Sequence, residues 1–211
     1  MPRVLKLISY SPELFELFLE REGLEYRAGD CALLIHTDKI TSRPYSFSSH
    51  PDQKSLSFLF RKLENGFTSW LASRKEGDEV GVGTPFSLFH PQGGVHEVWI
   101  ATGTGIAPFL SLLRGNTTSL PRELWYGVRT PQEAVLDEKL PLKVTGTGLR
   151  LWFSRQKENP SRLTDHLEQL PQGPDLEYYL CGNGSMIRQT TEFLKSQGIP
   201  TSHLHGEAFY G

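Results

Sequence analysis

At 211 residues, 37% hydrophobic and 22% charged, the chain has the composition of a folded, loop-rich protein with room for two domains of about a hundred residues. Its net charge is −2, with 11 basic and 12 acidic residues up to Gly94 and the same numbers from Val95 onward, so neither half has the basic excess of a nucleic-acid binder. Two cysteines, Cys31 and Cys181, cannot supply the four ligands of an iron–sulfur cluster, and no zinc spacing exists; no metal is expected, and the usage fits a reducing compartment.

The first residues carry Arg3, Lys6, Glu13, Glu16 and Glu20, unlike a signal peptide, and no run approaches the roughly 20 apolar residues of a membrane helix; a cytoplasmic location without membrane insertion is expected. Residues 4–8 predict a strand. Residues 14–19 fit strand or short helix by period, and the flanking turns favour strand. A turn at 26–30 leads into an apolar strand at 31–36. Short strands at this spacing predict an antiparallel barrel. Arg43-Pro44-Tyr45-Ser46 then places a cation, a rigid ring, an aromatic plane and a hydroxyl within four residues. A flat anionic ligand uses all of these: arginine for diphosphate, tyrosine for stacking, serine for a ring heteroatom. The plainer alternative is a strand end with an exposed arginine. Residues 56–63, with Leu59, Phe60 and Arg61, alternate imperfectly as a barrel strand does. Gly66 reads as a turn, and Thr68 or Ser69 as the N-cap of a short helix whose N-terminus attracts phosphate. A Gly77-Asp78 turn precedes a strand to Val82, residues 85–89 end the half, and 90–94 are a turn-rich linker. Two domains follow, residues 1–92 and 95–211.

Residues 98–101 predict a strand that runs into Thr102-Gly103-Thr104-Gly105-Ile106-Ala107-Pro108. A strand, a tight glycine turn and a helix start present backbone N–H groups to a phosphate. Pro108 stands where a third glycine would complete the common dinucleotide motif, and it suits a first helical turn. A second strand ends at Arg129, and 133–136 predict a helix start. A third strand ends at Ser154-Arg155. Residues 163–170 are amphipathic and helical, and 176–181 form a fourth strand ahead of Gly182-Asn183-Gly184-Ser185. A helix at 186–195 and a short strand at 202–205 follow. This alternation predicts a parallel sheet with helices on both faces and a ligand at the carboxyl ends of its strands. An acidic residue after the second strand would favour NAD, but that strand ends in Arg129, and Ser154, Arg155 and Arg162 suit a 2′-phosphate; solvated surface charges are the plainer alternative. The seven histidines show no expected pairing. Glu207-Ala208-Phe209-Tyr210-Gly211 reads as an exposed aromatic tail.

These motifs, in this order, resemble the ferredoxin–NADP reductase family: R-x-Y-S at 43–46, G-x-x-S at 66–69, G-T-G-I-A-P at 103–108, S-R at 154–155, C-G-x-x-x-M at 181–186 and E-x-aromatic at 207–209. The resemblance spans nearly the whole chain. It implies a two-domain, ferredoxin reductase-like fold: an antiparallel β-barrel FAD-binding domain followed by an α/β parallel-sheet NADP-binding domain. It implies that FAD is bound by Arg43, Pro44, Tyr45, Ser46, Leu59, Phe60, Arg61, Gly66, Thr68, Ser69 and Phe209. NADP falls to Thr102, Gly103, Thr104, Gly105, Arg129, Ser154, Arg155, Arg162, Cys181, Gly182 and Met186. Ser46, Cys181, Glu207 and Phe209 border the reacting groups, Tyr45 and Phe209 sandwich the flavin, and Tyr210 is the second choice of stacker. Ser161 departs from the glycine of the bacterial G-R-(I/L/V)-T pattern. The chain is short for the family, so trimmed loops would leave the FAD adenine loosely held or folded back. The implied activity is hydride transfer from NADPH to the flavin, then single electrons to ferredoxin or flavodoxin, in a monomer. Reduction of a heme protein or quinone, or a non-catalytic flavin-binding subunit, are the alternatives.

Overall fold

Six strands build the first half: β1 (Val4–Ser9), β2 (Leu14–Glu20), β3 (Cys31–Ile35), β4 (Ser42–Ser46), β5 (Ser55–Arg61) and β6 (Gly81–Val82). They form two antiparallel sheets, β1-β2-β5 and β4-β3-β6. Two isolated bridges join them: Phe47 with Phe58 links the end of β4 to β5, and Arg3 with Glu79 links β1 to the approach to β6. The strands therefore close in the order 1-2-5-4-3-6, a small barrel that leaves no free edge. Its interior holds Leu17, Leu19, Leu34, Phe47, Phe58 and Phe60, all essentially inaccessible. The Phe47 ring stacks on Tyr26 at 3.9 Å and leans on Phe58 at 4.8 Å. Each such ring contributes about 1.5–3 kcal/mol through removal from water.

The computed structural model describes residues 1–86, 89–115, 119–136 and 148–209. Its contacts divide the chain into Met1–His90 with Ala107–Asn116, and Pro91–Ile106 with Thr117–Gly211. The helix after the glycine turn, α2 (Ala107–Leu113), thus groups with the barrel, where six of its seven residues are buried. A short helix, α1 (Phe67–Ala72), has Gly66 at its N-cap with φ 92°. This corrects the expected cap: Thr68 and Ser69 lie inside the first turn, and Thr68 Oγ1 accepts instead from the Leu63 N–H at 3.0 Å. Glycine holds the position because a left-handed φ costs it nothing.

The second unit is one parallel sheet of β7 (Glu97–Thr102), β8 (Glu123–Val128), β9 (Gly148–Phe153), β10 (Glu177–Asn183) and β11 (Leu204–Phe209), in the order β11-β10-β7-β8-β9. The central strand reads Val98-Trp99-Ile100-Ala101 with every side chain buried, as a strand covered on both faces must. The helix α3 (Gly184–Ser196) connects β10 to β11 and is capped by Asn183, whose Oδ1 accepts from the Ser185 N–H at 2.9 Å.

Three expectations for this unit are corrected. Residues 163–169 form 3₁₀ turns kinked at His166, because Leu163 and Leu167 are the only buried positions and φ breaks between them. The helix start at 133–136 is a single 3₁₀ turn, Pro131–Glu133. The last strand is Leu204–Phe209, so Glu207 and Phe209 are strand residues in register with Cys181 and Asn183. On that strand, His205 Nε2 meets Glu177 Oε2 at 2.7 Å and its ring stacks on Tyr179 at 4.6 Å. Both cysteines are free and buried. Among the described residues, no helix is long and apolar enough to cross a membrane, and no cluster of metal ligands exists.

Candidate functional site

In the parallel sheet, β7 continues to β8 on one side and neighbours β10 on the other, so the chain direction of its crossovers reverses between β7 and β10. A crevice outside the strand ends at such a point is where open α/β sheets bind ligands. The sequence supplies the residues that let the two strand ends close up there. A Cβ on Gly105 would lie 2.2 Å from the Cys181 carbonyl oxygen, and one on Gly182 (φ +130°) would lie 2.5 Å from the Thr102 oxygen. Thr102 Oγ1 accepts from the Asn183 N–H at 2.9 Å. Gly103, at φ +55°, has open space around its missing Cβ. The turn Gly103–Ile106 is a 3₁₀ helix, and Tyr126 donates its hydroxyl to the Gly103 carbonyl at 3.2 Å. Thr102, Gly103, Thr104, Gly105, Cys181 and Gly182 are therefore brought together; Met186 follows, buried, in the first turn of α3.

The strand-end pairing continues past β9. The Ser154 N–H donates to the Val128 carbonyl at 2.9 Å and the Arg155 N–H to that of Arg129 at 2.7 Å. Ser161 folds back, donating its N–H to Phe153 at 3.1 Å. Ser154, Arg155, Arg129 and the loop bearing Ser161 and Arg162 thus share one sheet end. Arg155 and Arg162 are exposed, and neither guanidinium has an ion-pair partner among the described residues. Their charge fits a phosphate dianion. At the sheet's other side, burial pushes the Glu207 carboxyl above the usual range, and its Oε2 has no hydrogen-bond partner. Phe209, half-buried, ends β11 opposite Asn183. Tyr210 lies outside the described residues.

In the barrel, Tyr45 stacks on Phe67 at 6.2 Å and meets Phe60 edge-on at 6.5 Å, which fixes the plane of its ring. Burial pushes its hydroxyl up to about 12. Arg43 and Pro44 before it are exposed, and Arg43 donates to its neighbour's carbonyl, Ser42 O, at 2.7 Å. Ser46 is 2% exposed, and its Oγ has no partner. A buried hydroxyl without a partner costs about 1–3 kcal/mol, so a ligand atom that bonds it recovers that amount. On β5, the Ser57 C=O accepts from the Ser48 N–H at 2.8 Å, and the Ser57 N–H donates to Ser49 Oγ at 2.9 Å. The pleat repeats every two residues, so the backbone groups of Leu59 and Arg61 face the same side. The Arg61 side chain is committed to Glu13 at 2.9 Å, leaving its backbone as the part directed to the β4 side. Gly66, with nothing within 4 Å of a would-be Cβ, opens the N-terminus of α1, and Thr68 and Ser69 lie half-buried in that first turn. The orphan Ser46 hydroxyl, the held Tyr45 plane and the open Gly66 fit a planar, phosphate-bearing group.

Sequence reasoning missed one feature of this region. Arg114 and Ser111 of the α2 segment grip the strand beside Ser46: Ser111 donates to Ser49 O at 2.6 Å, and Arg114 donates to Ser48 O at 3.0 Å. An arginine directly after a short, mostly apolar helix is the signal that could have found it.

Residues 99–192 match the family model for the oxidoreductase NAD-binding domain. The chain is 31% identical over 88% of its length to the anthranilate 1,2-dioxygenase electron transfer component of Acinetobacter baylyi, covering 59% of that protein. It is 27% identical over 89% of its length to a ferredoxin–NAD(P)(+) reductase component of naphthalene dioxygenase systems from Ralstonia, covering 61% of it. Such relatives are longer than this chain, which spans about three-fifths of their length. The flavodoxin/ferredoxin–NADP reductase of Buchnera aphidicola is 26% identical, over 96% of this chain and 92% of that one. In fold, a ferredoxin NADP+ reductase from Neisseria gonorrhoeae with bound FAD and NADP superposes with a TM-score of 0.86 at 20% identity, covering 99% and 98% of the two chains. The closed antiparallel barrel and the five-stranded parallel sheet are the ferredoxin reductase-like architecture expected from the motifs. Residues 99–192 thus form an oxidoreductase NAD-binding domain, and the chain as a whole has the ferredoxin reductase-like fold.

Proposed function

We propose that the chain is an FAD-dependent reductase that accepts hydride from NADPH and passes electrons one at a time to ferredoxin or flavodoxin, as a cytoplasmic monomer. Residues 1–92 would hold the flavin and 95–211 the nicotinamide nucleotide. The observation that carries this reading is the orphan hydroxyl of Ser46, buried beside the held Tyr45 ring.

In this reading Arg43 and the α1 N-terminus, with Gly66, Thr68 and Ser69, hold the FAD diphosphate. Tyr45 stacks on the ring, Ser46 donates to its reactive edge, and backbone groups of Leu59 and Arg61 receive its rim. Thr102 to Gly105 cradle the nucleotide pyrophosphate, where close backbone approach needs glycine. Cys181 and Gly182 border the nicotinamide, Met186 packs beneath them, and Arg129, Ser154, Arg155 and Arg162 select the 2′-phosphate. Bound flavin supplies the conversion of a hydride into single electrons. Glu207, its carboxyl pushed above the usual range by burial, can keep or release a proton, and Phe209 occupies the nicotinamide's place until the substrate arrives.

The test is direct. Purified protein titrated with FAD should develop a flavin spectrum, and NADPH should then bleach it and support reduction of a ferredoxin and a flavodoxin compared side by side. No flavin uptake, or uptake without NADPH turnover of an artificial dye, would sink the enzyme reading and leave a binding subunit.

A further inference from the structure

The loop after β9 contains a hydrogen-bond chain that the motifs do not include. Arg150 Nη1 donates to Gln169 Oε1 at 3.2 Å. That contact fixes the amide with its nitrogen pointing away, 3.5 Å from both the Glu168 carboxylate and His166 Nδ1. With the amide nitrogen as donor in this contact, the tautomer is assigned with His166 Nδ1 as acceptor and the proton of the neutral ring on Nε2. His166 Nε2 lies 2.6 Å from Ser161 Oγ. The ring is held in place by stacking on Trp152 at 5.9 Å and 29°. With Nε2–H donating to it, the serine oxygen has accepted a bond, and its own hydroxyl proton is left to donate elsewhere. Ser161 itself is tied by its N–H to Phe153 O, the residue before Ser154 and Arg155.

We propose that Gln169, His166 and Ser161 form a relay that directs the Ser161 hydroxyl proton to the 2′-phosphate of NADP(H). Ser161 is then a specificity-determining residue and His166 a positioning residue. Ser161 occupies the place where the bacterial pattern has glycine, so this chain adds a donor there rather than losing a turn. The inference rests on the reading of the β9 end as the 2′-phosphate site. Asp165 in the same loop is engaged by the backbone, its Oδ2 accepting the Arg162 N–H at 2.8 Å.

The experiment measures calorimetric binding of adenosine 2′,5′-bisphosphate and of 5′-AMP to the full chain, with kcat and KM for NADPH and NADH as a second readout. Ser161→Ala should weaken the bisphosphate about tenfold, the worth of one hydrogen bond to a charged group, and leave 5′-AMP unchanged within about twofold. His166→Phe keeps the ring on Trp152 but removes the donor, and should show the same selective loss, expressed in KM for NADPH rather than kcat. His166→Gln places an amide N–H near the Nε2 position and should restore most of the affinity. The double variant Ser161→Ala with His166→Phe should lose no more than either single. Unchanged bisphosphate binding in Ser161→Ala, or equal loss of both ligands in His166→Phe, overturns the relay. Arg155→Ala separates the two levels. A selective loss there with none in Ser161→Ala removes the relay alone; an equal loss of both ligands in Arg155→Ala removes the 2′-phosphate site itself.

Discussion

Arg114 closes a two-pronged contact on the carboxylate of Glu16, 98 residues earlier, in the interior of the barrel unit: Nη1 meets Oε1, and Nη2 meets Oε2 at 3.1 Å. Glu16 is wholly inaccessible and also accepts from Ser48 Oγ at 2.6 Å and Tyr10 at 2.8 Å. Burial pushes its carboxyl up, but the Arg114 fork and charge, with Ser48 and Tyr10, outweigh burial and hold it below the usual range.

Removing one partner leaves the other charge buried. Glu16→Ala should therefore destabilise the protein by about 3–5 kcal/mol, whereas Glu16→Leu combined with Arg114→Met should recover most of the loss. Denaturant midpoints of the two variants check this; equal destabilisation of single and double variants would contradict it. The sign of the pH effect follows from the depressed folded value. The contribution of Glu16 is fully present above its ordinary pKa of 4.5 and is lost as pH falls through the lower folded value. Acid unfolding of the parent should steepen there, and the double variant should lack that steepening.

Ser46→Ala removes a buried hydroxyl that nothing satisfies. Without flavin the variant should melt at the same temperature as the parent or higher, because the stranded group is gone. With FAD, turnover should fall about tenfold or more for a hydrogen bond lost at the reacting edge. Melting curves with and without FAD, beside steady-state rates, separate the two effects. A variant both less stable and fully active would show that Ser46 only packs.

Glu207 has the opposite pH sense. Its folded pKa is raised by burial, so its favourable state is the protonated one. Stability is complete below its ordinary value and declines as pH rises through the folded value. Glu207→Gln should flatten the decline and leave a protein more stable than the parent above neutral pH. Thermal midpoints across acid to mildly alkaline buffers read this out, and a parallel pH profile for parent and variant would refute it.

Glycine substitutions should rank by what a Cβ meets. Gly105→Ala and Gly182→Ala drive a carbon to 2.2 Å and 2.5 Å of backbone oxygen and should lower stability severely, since two strand ends must separate. Gly103→Ala has room but a φ of +55°, and should cost about 1–2 kcal/mol. Gly184→Ala, in open space at the first position of α3, should be neutral or slightly stabilising. Chemical denaturation of the four variants gives the order; Gly184→Ala proving worst would overturn the reading of the crevice.

Local patterns carried much of this architecture. The apolar run of β7 into Gly103 and Gly105, the strand ends at Arg129 and Ser154, and the turn-spaced strands of the barrel are each written within a few residues. What failed to show was either weak in period or remote in sequence. Leu163 and Leu167 are four apart, a helical spacing, yet they support only 3₁₀ turns because tertiary contacts override a short propensity signal. The alternation in Leu204-His205-Gly206-Glu207-Ala208-Phe209 is masked by a histidine and a glycine, so a strand passes for a tail. The Glu16–Arg114 fork joins residues with no local relation at all. The relay at Gln169, His166 and Ser161 depends on the same kinked turn that periodicity misassigned.

The incorporation of Phe209 into β11 changes what kind of motion its ring can make. The backbone from Leu204 to Phe209 is laddered to Tyr178 through Asn183, rung by rung. A swinging tail would set a slow, viscosity-dependent clock on nicotinamide entry. A ring mounted on a sheet strand moves by side-chain rotation alone, which is fast and leaves backbone amide exchange unchanged. In the role proposed for it, such an aromatic would act as a revolving door on a fixed post, yielding at a rate set by the crowding of its own rotamers.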